Sequence, residues 1–428
     1  MTPRPSDLQE ADIPSVTYRK VLTSRNVPQL LLAACLSRLA HGMLLFVVVL
    51  YAIAEFDSAE VAGLSGAFLT LPGFLVSPLA GAVLDRFGAL RAVAMDTTVS
   101  AVLVGAIAVL SVFGQLTPAV LYLMLALFSI TSPLTDGGIR TLFPQFVPDA
   151  AYDRANALDL STYSVIEVGG PLVAGGLFAL SGANPALLTV AAMYGLAALS
   201  LSLLRGGTAK ADADRGVAQD AAPQEPVQHL LRSAWEGITY LLRNATLRGL
   251  AASYAVFQVA YGMLVIIVPV AVAGHVADET SSSRYVGLIW AVLGLAGGTG
   301  ALLAGKYVRA GLERRFMVGA LVLSAVAVYP VSALGSLVAL GTGLALFGVM
   351  EGTVNVSLMS LRLRRTEPER LGRVMTVSIS VNLIGFPVGT SLGGVVVDNG
   401  SPARALAVAA ALALAAAVCA RLLVPKEG

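Results

Sequence analysis

Twelve long apolar runs dominate the sequence and leave few folds open to it. They occupy residues 28–53, 60–84, 90–113, 117–138, 155–180, 185–204, 248–274, 284–305, 315–332, 336–361, 373–397 and 402–422. A helix of about 20 apolar residues crosses the hydrocarbon core of a bilayer. In lipid the backbone must satisfy its own hydrogen bonds, and without a closed barrel only helices do so. The sequence therefore predicts an all-α integral membrane protein with twelve transmembrane helices.

The composition agrees with this class and argues against several others. The chain is 56% hydrophobic and 13% charged, whereas soluble domains carry about 25% charged residues. The net charge is +2, and no basic stripe suited to nucleic acid stands out. Three histidines and two unclustered cysteines, Cys35 and Cys419, suggest neither a metal site nor a disulfide framework. Without a nucleotide-binding loop or a catalytic constellation, we expect neither an enzyme nor a cofactor.

The basic residues predict how the chain crosses the membrane. Of the 28 basic residues, 25 lie in the tails and in the segments on one side. The other three are Arg38 in span 1 and Arg284 and Arg404 on the opposite side. Lysine and arginine accumulate in cytoplasmic loops, so both termini are predicted to be cytoplasmic. The first 26 residues lack the apolar core of a signal peptide, so the first run is expected to remain as a span. The predicted cytoplasmic side is called the inner end below, and the opposite side the outer end.

A polar segment divides the chain into two halves with similar loops. Residues 206–226 predict a flexible linker, and 227–244 an amphipathic helix on the cytoplasmic interface. The expected organisation is a tail at 1–26, a six-helix half at 27–205, the linker region at 206–247 and a second half at 248–424. The pair Pro148-Asp149 after span 4 recurs as Pro368-Glu369 after span 10, 220 residues later. Such repeated halves predict a transporter with its site at the midplane between them.

The short loop between spans 2 and 3 reads GAVLDRFGALRA, from Gly81 to Ala92. Gly81 would permit close helix approach and Gly88 a tight turn, while Asp85 would face the positive N-terminal end of a neighbouring helix. The predicted latch between the halves at the inner end uses Asp85, Arg86 and Arg91; an ordinary basic loop is the alternative. The spacing of Gly81, Asp85, Arg86 and Gly88 resembles the signature loop of the major facilitator superfamily, although the usual basic pair is reduced to Arg91. The resemblance implies a secondary transporter and extends over nearly the whole chain.

Other segments are similar to the bacterial drug, macrolide and siderophore efflux branch of that superfamily. This similarity is carried by Arg140, Pro144, Pro148, Ala155, Asn156, Gly372 and Arg373. One feature departs from the pattern, because proton-coupled drug antiporters usually have an arginine within span 4. Here Arg140 follows only at the end of that span.

Span 5 contains small residues that resemble the glycine–proline motif of antiporters in the superfamily. They are Gly169, Gly170, Pro171, Ala174 and Gly175. Small residues let membrane helices pack closely, and a proline can kink a helix. The expected partner is span 11, which carries Gly385, Pro387, Gly389 and Gly393, and span 8 has a similar small face at Gly294 and Gly298. Close packing without a hinge role is the alternative.

Several ionisable residues lie inside the predicted spans, where a charge costs at least about 2.5–3.5 kcal/mol. The candidates for proton coupling are Glu167, Glu351, Arg38 and His41. Desolvation favours the protonated form of a carboxylate, so Glu167 or Glu351 would exchange protons with the cavity. A static ion pair between Arg38 and Glu167 is the alternative. The residues expected to join the charge network around Asp85 are Asp96, Asp136 and Arg140.

The function predicted from these features is export of an amphipathic small molecule across a bacterial cytoplasmic membrane, driven by protons, by a monomer. The polar and aromatic residues expected to meet the cargo are Asn355, Tyr254, Gln258, Tyr261 and Asn382. Three alternatives stay open: uptake of a nutrient by the same fold, a lipid-flipping role, and a membrane sensor or scaffold that does not transport.

Overall fold

The structure is a computed structural model that describes residues 26–147, 152–204, 239–276, 278–332, 335–366, 378 and 381–425. Its helices are α1 (Val27–Phe56), α2 (Ala59–Phe87), α3 (Ala89–Val112), α4 (Pro118–Thr131), α5 (Pro133–Phe146), α6 (Tyr152–Ser181), α7 (Ala183–Ser202), α8 (Ala245–Ala273), α9 (Glu279–Tyr307), α10 (Glu313–Val326), α11 (Leu337–Arg364), α12 (Gly385–Asp398) and α13 (Pro402–Leu423). No β-strand occurs within these ranges, so the all-α prediction is confirmed.

The predicted spans coincide with observed helices, but the count of twelve is confirmed only in part. Ten helices in the described part of the chain are long and apolar enough to cross a membrane, and α6 and α10 are not among them. Span 4 is divided at Ser132 into α4 and α5, because Pro133 has no N–H to continue the hydrogen-bond ladder. Helix α10 has 14 residues and is followed by a kinked segment, Ala327–Val331, in which Tyr329 has an extended backbone with φ −150° and ψ 124°. The predicted tail, the linker and most of the amphipathic helix lie outside the described residues.

Polar side chains fix where many of the helices begin. In each case a side-chain oxygen accepts a hydrogen bond from a backbone N–H of the first turn, which a helix would otherwise leave unsatisfied. The capping residues are Ser58 for α2, Thr117 for α4, Asn244 for α8, Asp278 for α9, Ser336 for α11 and Ser401 for α13. The predicted tight turn at Gly88 is confirmed, since its φ of 82° joins α2 to α3 in a conformation that favours glycine.

The helices form two groups that meet along two seams. Within the groups, α1 packs on α6 and α7, and α8 packs on α12 and α13. The first seam joins α2 to α12, and the second seam joins α6 to α9. One buried apolar cluster runs through both groups, whereas a smaller cluster around Val27, Leu84 and Leu142 belongs to the first group alone, at its inner end. A third small cluster, Leu241, Leu247 and Ala251, lies at the start of α8, so the two halves share one core and each has a separate small cluster toward the inner end.

The expectation that span 5 packs against span 11 is wrong. The glycines of span 11 face α8 in their own half, where a Cβ at Gly385 or Gly389 would overlap the backbone carbonyl of Ala255 or Val259. The other face of α12 is covered by α2. Helix α6, which is span 5, instead packs against α9, which is span 8. The predicted close packing is present, but with a different partner.

Candidate functional site

A cavity of about 790 Å³ lies between the two halves. Helices of both halves line it, with Phe46 and Trp290 near the middle and Arg140 and Ala301 toward the inner end. Its volume falls within the roughly 300–1,000 Å³ of small-molecule sites. It is the natural place to look for function in this molecule.

The outer end of the first seam is held by a carboxylate that belongs to the opposite half. Asp398, the last residue of α12, accepts hydrogen bonds at the start of α2. The hydroxyl of Ser58 and the N–H of Glu60 donate to Oδ2 at 2.8 Å each, and the N–H of Ala59 donates to Oδ1 at 2.9 Å. Free N–H groups give a helix start partial positive charge. Asp398 thus caps α2 across the seam.

Glycines bring the backbones together behind this cap and along the second seam. In the first seam, a Cβ at Gly63 would overlap the carbonyl oxygen of Thr390. In the second seam, a Cβ at Gly175 would lie 2.6 Å from the Ser283 carbonyl oxygen and 2.8 Å from the Gly287 Cα. Real Cβ atoms do not approach backbone this closely, so both seams require glycine. Both contacts bring the two halves together by direct backbone contact.

A buried ion pair ties α1 to α6 beside the cavity. The Arg38 Nη1 lies 2.5 Å from Asp159 Oδ1, and Nη2 lies 3.0 Å from Oδ2. Their side chains are 11% and 7% exposed. Arg38 therefore has Asp159 as a carboxylate partner, whereas the sequence suggested Glu167. The side chain of Glu167 lies outside the described residues.

An aromatic group lines the middle of the cavity. The Trp290 ring centroid lies 5.2 Å from that of Phe46 and 5.9 Å from that of Tyr261, and Tyr261 lies 6.1 Å from Phe386. All four residues line the cavity, and we call them the aromatic wall. Trp290 is 3% exposed, and its Nε1 has no hydrogen-bond partner in the described structure. The wall therefore offers apolar area together with one unused N–H donor.

A polar group lies on the cavity side of the N-terminal half. Asp96 in α3 accepts a hydrogen bond from the Thr135 hydroxyl of α5, and a longer one of 3.4 Å from Ser100. His41 and Asp136 line the same part of the cavity and are exposed to it. The described partners of Asp96 are thus hydroxyls at the cavity, rather than the charged loop at Asp85 that the sequence suggested. About two turns of α3 separate Asp96 from that loop.

The structure separates the predicted cargo residues into two groups. Asn355 and Tyr261 line the cavity, and the Tyr254 hydroxyl donates to Asn355 Oδ1 at 2.7 Å from behind the wall. Gln258 and Asn382 are buried and are not among the lining residues; Gln258 packs beside the Gly385 backbone. Of the predicted proton-coupling residues, those on the lining are Arg38, His41 and Glu351. All of these roles stay predictions.

The predicted inner latch is only partly described. Asp85, Arg86 and Arg91 are exposed, and residues 367–377 of the opposite half lie outside the described residues. Among the described residues, no heavy atom lies within 4 Å of a Cβ placed at Gly81, and the close helix approach expected there stays a prediction. Some of the loop residues that carry the similarity to the efflux branch, such as Pro148 and Gly372, also lie outside the described ranges.

Sequence reasoning missed Asp159, Trp290 and Asp398. Asp159 lies one turn into a predicted span and belonged with the other intramembrane charges. Asp398 is an acid in the last turn of a helix, where its own helix dipole disfavours it. That placement was a signal for a partner in another helix.

The paired helix groups, the two seams and the shared cavity are typical of a membrane transporter. The family model of the Major Facilitator Superfamily matches residues 30–360 and 250–428. The chain belongs to this superfamily, as its signature loop indicated, and it is a transporter rather than an enzyme.

Relatives and solved structures agree with this assignment. The chain is 41% identical over 384 residues to an uncharacterised MFS-type transporter, y4rN, of Sinorhizobium fredii. The match covers 90% of this chain and 91% of that protein. It is also 26% identical over 348 residues to the multidrug efflux pump Tap of Mycolicibacterium fortuitum, and this match covers 79% of this chain and 80% of Tap. The nucleoside transporter NupG has the same fold, with a TM-score of 0.73 at 16% identity over 94% of this chain and 100% of that one.

Proposed function

We propose that the protein exports an amphipathic small molecule across a bacterial cytoplasmic membrane in exchange for protons. It would act as a monomer with both termini in the cytoplasm. The observation that carries the proposal is the cavity, in which the aromatic wall and ionisable side chains face one space. The similarity to the efflux pump Tap supports the outward direction.

The aromatic wall suits the apolar part of such a cargo. Flat rings bind aromatic or apolar groups through large contact areas. The free Nε1–H of Trp290 would donate to a carbonyl or ether oxygen of the cargo, because a buried donor without a partner is costly. Glu351 and Asn355 lie one turn apart on α11 and supply the polar side of the same site.

The seams supply the moving parts of the proposed cycle. Cargo would enter from the inner end, where each half has a small apolar cluster of its own. Rocking of the halves would then part the two seams at the outer end and release the cargo. Glu167, Glu351, Arg38 and His41 remain the proposed coupling residues in this cycle.

The test is efflux of dyes and antibiotics from cells that express the wild type, with and without a protonophore. We expect efflux that the protonophore stops, and loss of pH-driven efflux in Glu167→Gln or Glu351→Gln. Trp290→Phe keeps a ring but removes the N–H, so it should weaken binding of cargo by about fivefold to tenfold, the size of one hydrogen bond. Tyr307→Phe, on the exposed inner end of α9, is the matched control.

The same assay separates the alternatives. Accumulation of a compound inside the cells would favour uptake over export. If no compound moves in response to a gradient, even in vesicles, the protein is a sensor or scaffold and the proposal is wrong. Movement of labelled lipid between leaflets would favour the lipid-flipping alternative.

A further inference from the structure

A polar pocket in the N-terminal half has features that the aromatic wall does not explain. Five helices contribute to it. Its members are His41 of α1, Asp96 and Ser100 of α3, Thr131 of α4, Thr135 and Asp136 of α5, and Tyr194 of α7. Asp96 is the deepest acid of the group, because it is 1% exposed, while His41 and Asp136 are exposed to the cavity.

Asp96 is held by hydroxyl groups and not by a cation. Thr135 and Ser100 donate to its two oxygens, and no salt bridge to Asp96 occurs among the described residues. Arg38 is engaged by Asp159. Burying an unpaired carboxylate is expensive, whereas a protonated carboxyl avoids most of that cost. The surroundings therefore favour a group that takes up a proton.

The charges around Asp96 are consistent with proton uptake. Asp136 lines the same cavity and brings a second carboxylate to it. His41 is exposed and lines the same cavity as Asp96. Arg140 lies at the inner edge of the cavity and is exposed, and α2 contributes the neutral Thr70 to the lining.

Tyr194 supplies an independent observation that points to a ligand. Its hydroxyl is buried, with the residue 2% exposed, and it has no hydrogen-bond partner in the described structure although it lines the cavity. Its ring packs edge-on against Phe128 at 5.7 Å, and Phe128 stacks on His41 at 6.0 Å. The ring packing fixes the hydroxyl on the cavity lining that also includes Asp96, and the hydroxyl lacks a partner that a bound water or hydronium would provide.

We propose that Asp96 is a proton-binding site of the transporter, with Thr135 as its positioning residue and the Tyr194 hydroxyl as a partner for the water that carries the proton. A hydronium ion from the cavity gives its proton to the Asp96 carboxylate, which forms one O–H bond and leaves one water. The reverse step returns the proton to water after the halves have moved. This inference rests on the proposed proton antiport and names a coupling site distinct from Glu167 and Glu351.

Infrared difference spectroscopy of the purified protein tests the site without any cargo. Between neutral and acidic pH, the wild type should gain a carboxylic C=O band that is absent in Asp96→Asn and retained in Asp57→Asn. Asp57 is an exposed outer-loop residue with φ 48°, a conformation that asparagine accepts well. In Thr135→Val the band should still appear, but the pH at which it reaches half of its full intensity should change. A spectrum of Asp96→Asn identical to that of the wild type would overturn the proposal.

Transport in proteoliposomes then separates this inference from the proposed function. Asp96→Asn should lose dye accumulation driven by a pH gradient, yet keep exchange of labelled for unlabelled dye, which needs no net proton movement. If replacing the pH gradient by a sodium gradient drives the wild type equally well, the site binds a metal cation and the proton assignment is wrong. If the wild type moves no dye at all, export fails as the function, while the infrared band still decides whether Asp96 binds a proton. Full gradient-driven accumulation by Asp96→Asn would exclude its role in coupling.

Discussion

The two seams close the same end of the molecule by different means. The first seam, between α2 and α12, combines glycine contacts with the charged cap that Asp398 places on α2. The second seam, between α6 and α9, relies in the described residues on backbone contact at Gly175 and Gly287. Opening the first seam exchanges hydrogen bonds with Asp398 for hydrogen bonds with water. Opening the second mainly separates closely packed surfaces, so its energy should depend on fit rather than charge.

The largest effect is expected from adding one methyl group to the second seam. In Gly175→Ala the new Cβ would meet backbone at Ser283 and Gly287, and backbone cannot yield as a flexible side chain does. Overpacking of this kind costs roughly 1–3 kcal/mol, so we expect the outer end to part and transport to fall at least fivefold. The measurement is the distance between spin labels at Glu55→Cys and Ala403→Cys, after replacement of Cys35 and Cys419.

Gly176→Ala is the matched control for that variant. It makes the same chemical change one residue further along α6, where no described atom lies within 4 Å of the added Cβ. Its label distances and transport should match the wild type. If the two variants behave alike, close contact does not explain how the second seam stays closed.

An intermediate effect is expected from Asp398→Asn in the first seam. The amide keeps one oxygen but loses the negative charge and one acceptor, so the cap on α2 weakens. Loss of a helix cap costs roughly 0.5–2 kcal/mol, which corresponds to about a tenfold rise in the outward-open population. The same label pair measures it, and Asp57→Asn on the neighbouring loop is the control. An unchanged distance distribution would show that the cap does not set the balance between states.

The smallest effect is expected from Ser58→Ala. Ser58 accepts a hydrogen bond from the Val61 N–H and donates one to Asp398, so it takes part in the cap within its helix and across the seam. We expect a loss of about 1 kcal/mol. In the double variant with Asp398→Asn the two losses should be less than additive, because they remove parts of one network. Strict additivity would mean that Ser58 acts only within α2.

The sequence was sufficient for the class of fold but not for the pairing of helices. Apolar length identified the spans, and Gly88 identified a turn, because both are local properties. The stripe at Gly385 and Gly389 correctly predicted close packing. Its partner depended on which face of α12 met α8 and which met α2, and the spacing of glycines contains no such information.

The sequence predicted those residues of the candidate site that stand out locally, but not how they pair. Arg38, His41, Glu351, Asn355 and Tyr261 were found because polar residues are rare in apolar runs, and the structure places them on the cavity. Trp290 and Phe386 were missed, since aromatic residues are ordinary members of a membrane span. The pairing of Arg38 with Asp159 depends on how α1 and α6 are rotated, which the sequence does not specify.

Asp398 has a consequence for how solvent acts on this transporter. The cap lies at the exposed outer surface, where dissolved ions weaken the attraction between carboxylate and helix start as the screening length falls from about 8 Å at physiological ionic strength to about 3 Å at 1 M salt. Salt added to the outer solution should therefore favour opening, while the same salt inside should leave this contact unaffected. The population of the outward-open state in the absence of cargo would then rise with the salt concentration outside the cell.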